Sequence, residues 1–159
     1  MILIYHDVGG AHSTAVAANI HINKLPHNKI PDKEQILKVP TFDKITKEQI
    51  GHLLYIGEDE FGIKVYTLGR KYSKKHMLAV LTDMFNLLKR NNEKLYIVDT
   101  HPAVNLWMKI GGFSSRALGL VGFGRPIVTY GTLKAYKNIA DIVENTKKQI
   151  EKDMKKVKP

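Results

Sequence analysis

Cysteine is absent from the 159 residues, and that absence excludes disulfides, thiolate metal sites and cysteine nucleophiles together. It agrees with a reducing compartment, so a cytoplasmic setting is the expectation. No apolar run reaches the ~18 residues that a membrane-spanning helix needs. The opening MILIYHD has no basic stretch leading into a long apolar one, so neither a secretory leader nor a membrane partner is expected. Gly-x-Ser-x-Gly and His-Glu-x-x-His are both missing, which leaves no support for a serine elbow or a short zinc motif. Arginine is scarce, with 4 against 21 lysines.

What is present is ordinary for a folded chain: 43% apolar and 25% charged residues, which argues against a disordered or fibrous protein. The length suits one domain. Residues 1–146 read as a single α/β domain and 147–159 as a basic helical tail. The net charge of +10 would suit nucleic acid by its size. Its distribution does not, because the lysines are scattered and the tail cluster, Lys147, Lys148, Lys152, Lys155, Lys156 and Lys158, has no aromatic interleaving. A nucleic-acid partner is therefore not expected, and the tail reads as a solvated, fraying helix end. Arg70, Arg116 and Arg125 fall at element ends, where a planar fork could meet a carboxylate or phosphate.

Residues Ile2 to Tyr5 predict a strand, followed by a glycine loop and a helix from Ser13. A short helix is expected from Asp32 to Pro40, and a second over Lys47 to Leu54, where Thr46 and Gln49 form a capping-box pattern. Alternation predicts a strand over Ile63 to Leu68. Ser73 then caps a helix whose stripe Met77, Val80, Leu81, Met84, Phe85 and Leu88 is expected in the core. Leu95 to Val98 reads as a buried parallel strand and Pro102 to Ile110 as a helix stopped by Gly111-Gly112. Leu118 to Phe123 and Ile127 to Tyr130 are strand candidates, with a last helix from Gly131-Thr132. The loosest stretch, Lys24 to Gly62, suits connecting structure or a lid. Alternating strands and helices imply a three-layer α/β/α sandwich with a mostly parallel sheet, P-loop-like or Rossmann-like.

In such folds ligands bind beyond the carboxyl ends of the strands. After the first strand stand His6-Asp7-Val8-Gly9-Gly10-Ala11-His12-Ser13-Thr14. Gly9 and Gly10 permit a tight turn, while Ser13 and Thr14 open a helix whose N–H groups favour an anion. The stretch resembles a phosphate-binding loop in which His12 stands where the Walker lysine would be. That makes ordinary nucleoside-triphosphate hydrolysis doubtful and gives the loop a titratable donor instead. After the Leu95 strand come Asp99, Thr100 and His101, in the position of a Walker B acid. If the two strands are adjacent, His6, Asp7, His12, Asp99 and His101 converge on one edge. Such a group could take a divalent metal ion, the one cofactor suggested. The plainer reading of each feature is a glycine turn, an N-cap or a capped helix start. His21, His27, His52 and His76 read as surface or helix residues.

The segments YHDVGGAHSTAVAANIHI, FDKITKEQIGHLLYIGEDEFGIKVYTLGR and DTHPAVNLWMKIGGFSSRALGLVGFGRPIVTYGTLKAY together resemble the bacterial domain-of-unknown-function family 3189, found mainly among spore-forming Gram-positive bacteria. The resemblance runs from Ile2 to about Val143. It implies kinship and no particular reaction. The residues themselves suggest a site for an anionic small molecule, such as a phosphate or nucleotide. His6, Gly9, Gly10, His12, Ser13, Thr14, Arg70, Arg116 and Arg125 would bind it, and His12, Asp99 and His101 would carry any chemistry. Phosphoryl transfer or hydrolysis is the reaction class expected of an enzyme here. The contrary expectation is a non-catalytic interaction or regulatory module with an acidic protein or nucleic-acid partner. The oligomeric state is left open.

Overall fold

The computed structural model describes residues 1–90 and 93–156. A four-stranded sheet runs through it in the order β2-β3-β1-β4, built from β1 (Ile2–Asp7), β2 (Leu54–Glu58), β3 (Lys64–Gly69) and β4 (Leu95–Asp99). The central strand β1 pairs in parallel with β3 and β4, while β2 pairs antiparallel with β3. The sheet is thus mixed, not the mostly parallel one expected. The strand that changes it, β2, begins at Leu54, where the expected helix would have ended. Gln49 does reach back, its side-chain oxygen accepting from the Thr46 backbone at 2.9 Å. The turn cannot propagate, because Gly51 adopts φ 93° and gives its N–H to the Gly69 carbonyl at 2.8 Å, which docks the chain beside β3.

Helix α1 (Ser13–His21) is buried along all nine residues. Its alanines at 15, 17 and 18 are small enough to let it lie close against the sheet and α5 (Val121–Lys155). The core joins Leu3, Tyr5 and Val65 of the sheet to Val16 and Ile20 of α1 and to Tyr136, Ile139 and Val143 of α5. Each such large apolar side chain contributes ~1.5–3 kcal/mol by leaving water. Helix α2 (Lys33–Lys38) carries the expected N-cap: Asp32 accepts from Gln35 at 2.7 Å while Gln35 accepts from Asp32 at 3.0 Å. It adds Ile36 to the core.

Helix α3 (Lys74–Leu88) departs from expectation, since none of its residues is buried. Val80, Met84 and Leu88 of the supposed core stripe are 60%, 49% and 73% exposed. The helical period was real, but it marks a face only lightly packed on β4. Ser73 stands at the N-cap without making a side-chain capping bond.

The largest correction lies after β4. The expected helix from Pro102 divides into a 3-10 turn, His101–Ala103, and α4 (Leu106–Gly112), which Asn105 caps by accepting from Met108 at 2.9 Å. Gly111-Gly112 does not stop the chain, which continues through a π-helical turn, Phe113–Ala117. Leu118 to Phe123 and Ile127 to Tyr130 are not strands: from Val121 they belong to α5, which passes through Pro126. Short apolar runs fit a buried strand and a helix segment equally well. Pro126 is tolerated near the helix start because the carbonyl it leaves unpaired belongs to exposed Gly122. Gly131-Thr132, read as a helix start, sits in mid-α5.

Helices α4 and α5 cross on glycine. A Cβ at Gly111 would lie 2.3 Å from the Val128 nitrogen, and one at Gly124 2.3 Å from the Ser115 nitrogen. At the other end α5 runs on to Lys155 without a break at residue 147, with Ile150 buried. The expected tail is thus the last turns of a packed helix, except that Lys158 lies outside the described residues.

Candidate functional site

The loop after β1 is held together by its own carboxylate. Asp7 accepts from the Gly10 backbone N–H and from the Ser13 hydroxyl. Ser13 also bonds Thr100 at 2.8 Å, which ties the β1 loop to the end of β4. Gly10 has φ 73°, and a Cβ there would lie 2.5 Å from the Gly69 nitrogen, so only glycine permits this approach to β3. The place an anion would take in a phosphate loop therefore holds Asp7.

Two further carboxylates each gather a histidine and an arginine. At the β1–β4 edge, His6 stands opposite Asp99 in register. Arg70, at the end of β3, donates from Nε to His6 Nδ1 at 3.0 Å and approaches Asp99 with Nη2 at 3.6 Å. Lys74 reaches Asp99 at 2.6 Å, and the His101 backbone donates to it at 3.0 Å. Burial pushes the His6 pKa below its ordinary value; Asp99 pulls it upward, but the burial and nearby Arg70 prevail. Burial would raise Asp99, yet the Lys74 and His101 hydrogen bonds hold it low.

The second gathering centres on Asp43, which is fully buried in the loop after α2 with φ 53°. Its carboxylate accepts from Ser115 at 2.8 Å and Arg125 Nε at 2.9 Å, and faces His12 Nε2 at 3.1 Å. Its carbonyl takes Arg116 and Arg125, each at 3.3 Å, and its N–H donates to Ala11 at 3.0 Å. Burial alone would raise its pKa, but the bonds from His12, Arg125 and Ser115 outweigh burial and bring it to about 2. Asp43 is then ionised at neutral pH and can only accept, so His12 Nε2 is the donor of this pair and Nδ1 is the ring nitrogen left outside it.

His12 borders a cavity of about 500 Å³ at the carboxyl ends of β1 and β4. Its lining includes Asp7, Val8 and Gly9 of the β1 loop, the apolar side chains of Ile45, Ile50, Val104 and Met108, and the basic groups of His101, Lys109 and Arg116. The expected convergence is thus divided. Asp7, Gly9, His12, His101 and Arg116 line this cavity, whereas His6, Gly10, Ser13, Thr14, Arg70, Asp99 and Arg125 hold the structure around it. Ser13 and Thr14 are completely buried, and the Thr14 hydroxyl has no partner. Among the described residues no group of three or more His, Asp or Glu side chains is arranged to hold a metal ion. His21, expected at a surface or on a helix, is on α1 but fully buried, bonded to Tyr5 at 2.8 Å and Asp59 at 3.2 Å.

Sequence reasoning missed Asp43 and Lys109. Asp43 did lie in one segment that carried the family resemblance, beginning Phe42-Asp43-Lys44, and its left-handed backbone is one that aspartate tolerates better than most residues.

A mixed-sheet α/β protein with a histidine–carboxylate pair on a cavity at the strand ends is the class these features define. The chain belongs to the family described as "Protein of unknown function (DUF3189)", whose model matches residues 2–148. No curated protein and no solved structure gives a significant match.

Proposed function

We propose that the cavity binds a small molecule with an anionic group and an apolar body, and that His12 serves it as a general base. The observation that carries this reading is the direction of the Asp43–His12 pair: the buried carboxylate engages Nε2 and leaves Nδ1 as the nitrogen not engaged by it, on a ring that borders the cavity. Lys109 and Arg116, which line the cavity, supply cations for the anion, and Ile45, Ile50, Val104 and Met108 receive the apolar part. A phosphate-bearing molecule, nucleotides included, suits this division. Since Asp7 already occupies the loop donors, the anion is assigned to Lys109 and Arg116 and not to the loop N–H groups. If the molecule is turned over, hydrolysis or phosphoryl transfer fits best, with His12 taking the proton of an attacking hydroxyl.

A Rossmann-like, three-layer arrangement in a cytoplasmic protein accompanies this reading. From β1 the chain passes through α1 and α2 to the edge strand β2 and turns back into β3 on one side, and from β3 it passes through α3 to β4 on the other. Right-handed crossovers would then put α1 and α3 on opposite faces, with the ligand at the strand ends.

The test is a thermal-shift series with phosphate, nucleotides and sugar phosphates, each with and without magnesium or zinc. A ligand at about 100 times its Kd stabilises by ~2.7 kcal/mol. Wild type should shift, Arg116→Gln should lose the shift, and His12→Ala should lose turnover of any ligand consumed. No shift with any of them would leave the cavity structural and favour an interaction module.

A further inference from the structure

Between Thr100 and Ala140 the chain has no aspartate or glutamate, but five basic residues, Lys109, Arg116, Arg125, Lys134 and Lys137. The same stretch carries a dense group of exposed apolar side chains. Leu106, Trp107, Ile110 and Phe113 form one stripe along α4 at helical spacing, each at least 43% exposed. Leu118 and Leu120 in the following turn, then Phe123 and Tyr130 on α5, are each at least 48% exposed. Trp107 and Tyr130 meet edge to face at 5.8 Å, and Lys134 sits 4.7 Å above the Tyr130 ring, so the two stripes are joined and edged by charge.

The glycine crossing explains why so much apolar surface is left outside. Gly111, Gly124 and Gly131 bring the two helices together at backbone distance, so apart from Met108 and the Trp107–Tyr130 contact the large apolar side chains of this stretch stay outside the crossing. Soluble proteins rarely leave such a surface contiguous.

We propose that this α4–α5 face lies on an anionic lipid bilayer as a peripheral, in-plane contact. Charge selects the occupant. A second copy would bring exposed Lys109, Lys134 and Lys137 against one another with only Asp141, at the end of the α5 stripe, as a counter-charge, since Arg125 is already paired with Asp43; an anionic leaflet offers the complementary sign without needing specific partners. Trp107 and Tyr130, with apolar rings and polar tips, are the residue types that settle at a headgroup boundary. No helix of the described residues is long and apolar enough to cross a membrane, so the contact is superficial. It departs from the sequence expectation of no membrane partner, which considered spans and not faces. The face meets the cavity at Lys109, Phe113 and Arg116, but Leu118, Phe123, Lys134 and Lys137, the residues tested, do not line it.

Trp107 is the sole tryptophan and reports on the face directly. Full-length protein is mixed with vesicles of phosphatidylcholine alone or with phosphatidylglycerol added. Emission should move to the blue and be quenched by brominated acyl chains only when phosphatidylglycerol is present. Leu118→Ser with Phe123→Ser, both exposed and checked for fold by circular dichroism, should abolish quenching. Lys134→Gln and Lys137→Gln should each weaken binding roughly fivefold. The proposal is overturned if vesicles pellet the protein without quenching, which is adsorption by net charge alone, or if neutral vesicles serve equally. It is also overturned by a lipid-free dimer that buries Trp107 and is lost in the double serine variant, or by an equal blue shift with polyglutamate.

Discussion

The Asp99 and Asp43 gatherings use the same residue types for opposite ends. At Asp99 the arginine donates its hydrogen bond to the histidine, so the His6 Nδ1 lone pair is engaged and the ring is sealed at 1% exposure. At Asp43 the arginine donates to the carboxylate instead, and the histidine faces that carboxylate from the other side. One arrangement ties β1, β3, β4 and α3 together, while the other holds a ring beside a cavity with Nδ1 not engaged by the carboxylate. A histidine, an arginine and an aspartate in proximity therefore do not make one kind of site; which group the arginine addresses separates the two.

The sharpest way to break the contrast is Asp43→Ala, which strands Arg125, Ser115 and the His12 ring at once. Removing one partner of a buried charge cluster costs ~3–5 kcal/mol, to be read from urea denaturation midpoints at constant slope. Acid should distinguish the two next. Asp43 lies at about 2 against an unfolded value of 3.8, so its contribution is complete above pH ~4 and is lost as pH falls towards 2, roughly 2 kcal/mol in all. His6, depressed below 6.5, works over a higher window: the unfolded chain takes up the proton first, so stability declines as pH falls below 6.5. Denaturation at a series of pH values should show both steps, and Asp43→Asn should erase only the lower.

Asp99→Asn should cost about 1 kcal/mol, because its closest cation, Lys74, is 52% exposed in its side chain and water can replace it. Lys74→Met should change stability by no more than ~0.5 kcal/mol. An Asp99→Asn loss equal to that of Asp43→Ala would mean that the two clusters are equivalent after all.

The parts of the fold that the sequence disclosed are those where one local preference acts alone. β1, β3 and β4 are runs of β-branched and apolar residues, and α2 announces itself through Asp32 and Gln35. The front of α5 was illegible because Gly122, Gly124 and Pro126 each discourage a helix singly, while the glycine crossing with α4 rewards one. The α3 stripe shows the reverse failure, since a helical period reports an amphipathic surface but not whether anything covers it. At the site, the neighbours of β1 and β4 were readable from strand-end position, including Asp7, His12 and His101. Asp43 was not, because its value comes from Ser115, Arg116 and Arg125, more than seventy residues away.

Asp7 gives the glycine loop a property that the fold alone would not. By accepting from the Gly10 N–H and the Ser13 hydroxyl with a tethered carboxylate, the chain keeps at those two donors a competitor for any free anion, one that no dialysis can remove. Asp7→Ser takes that charge away, and uptake of phosphate by the variant is the outcome expected if the loop donors can serve an anion at all. Equilibrium dialysis of Asp7→Ser against labelled phosphate would measure how much affinity that carboxylate conceals.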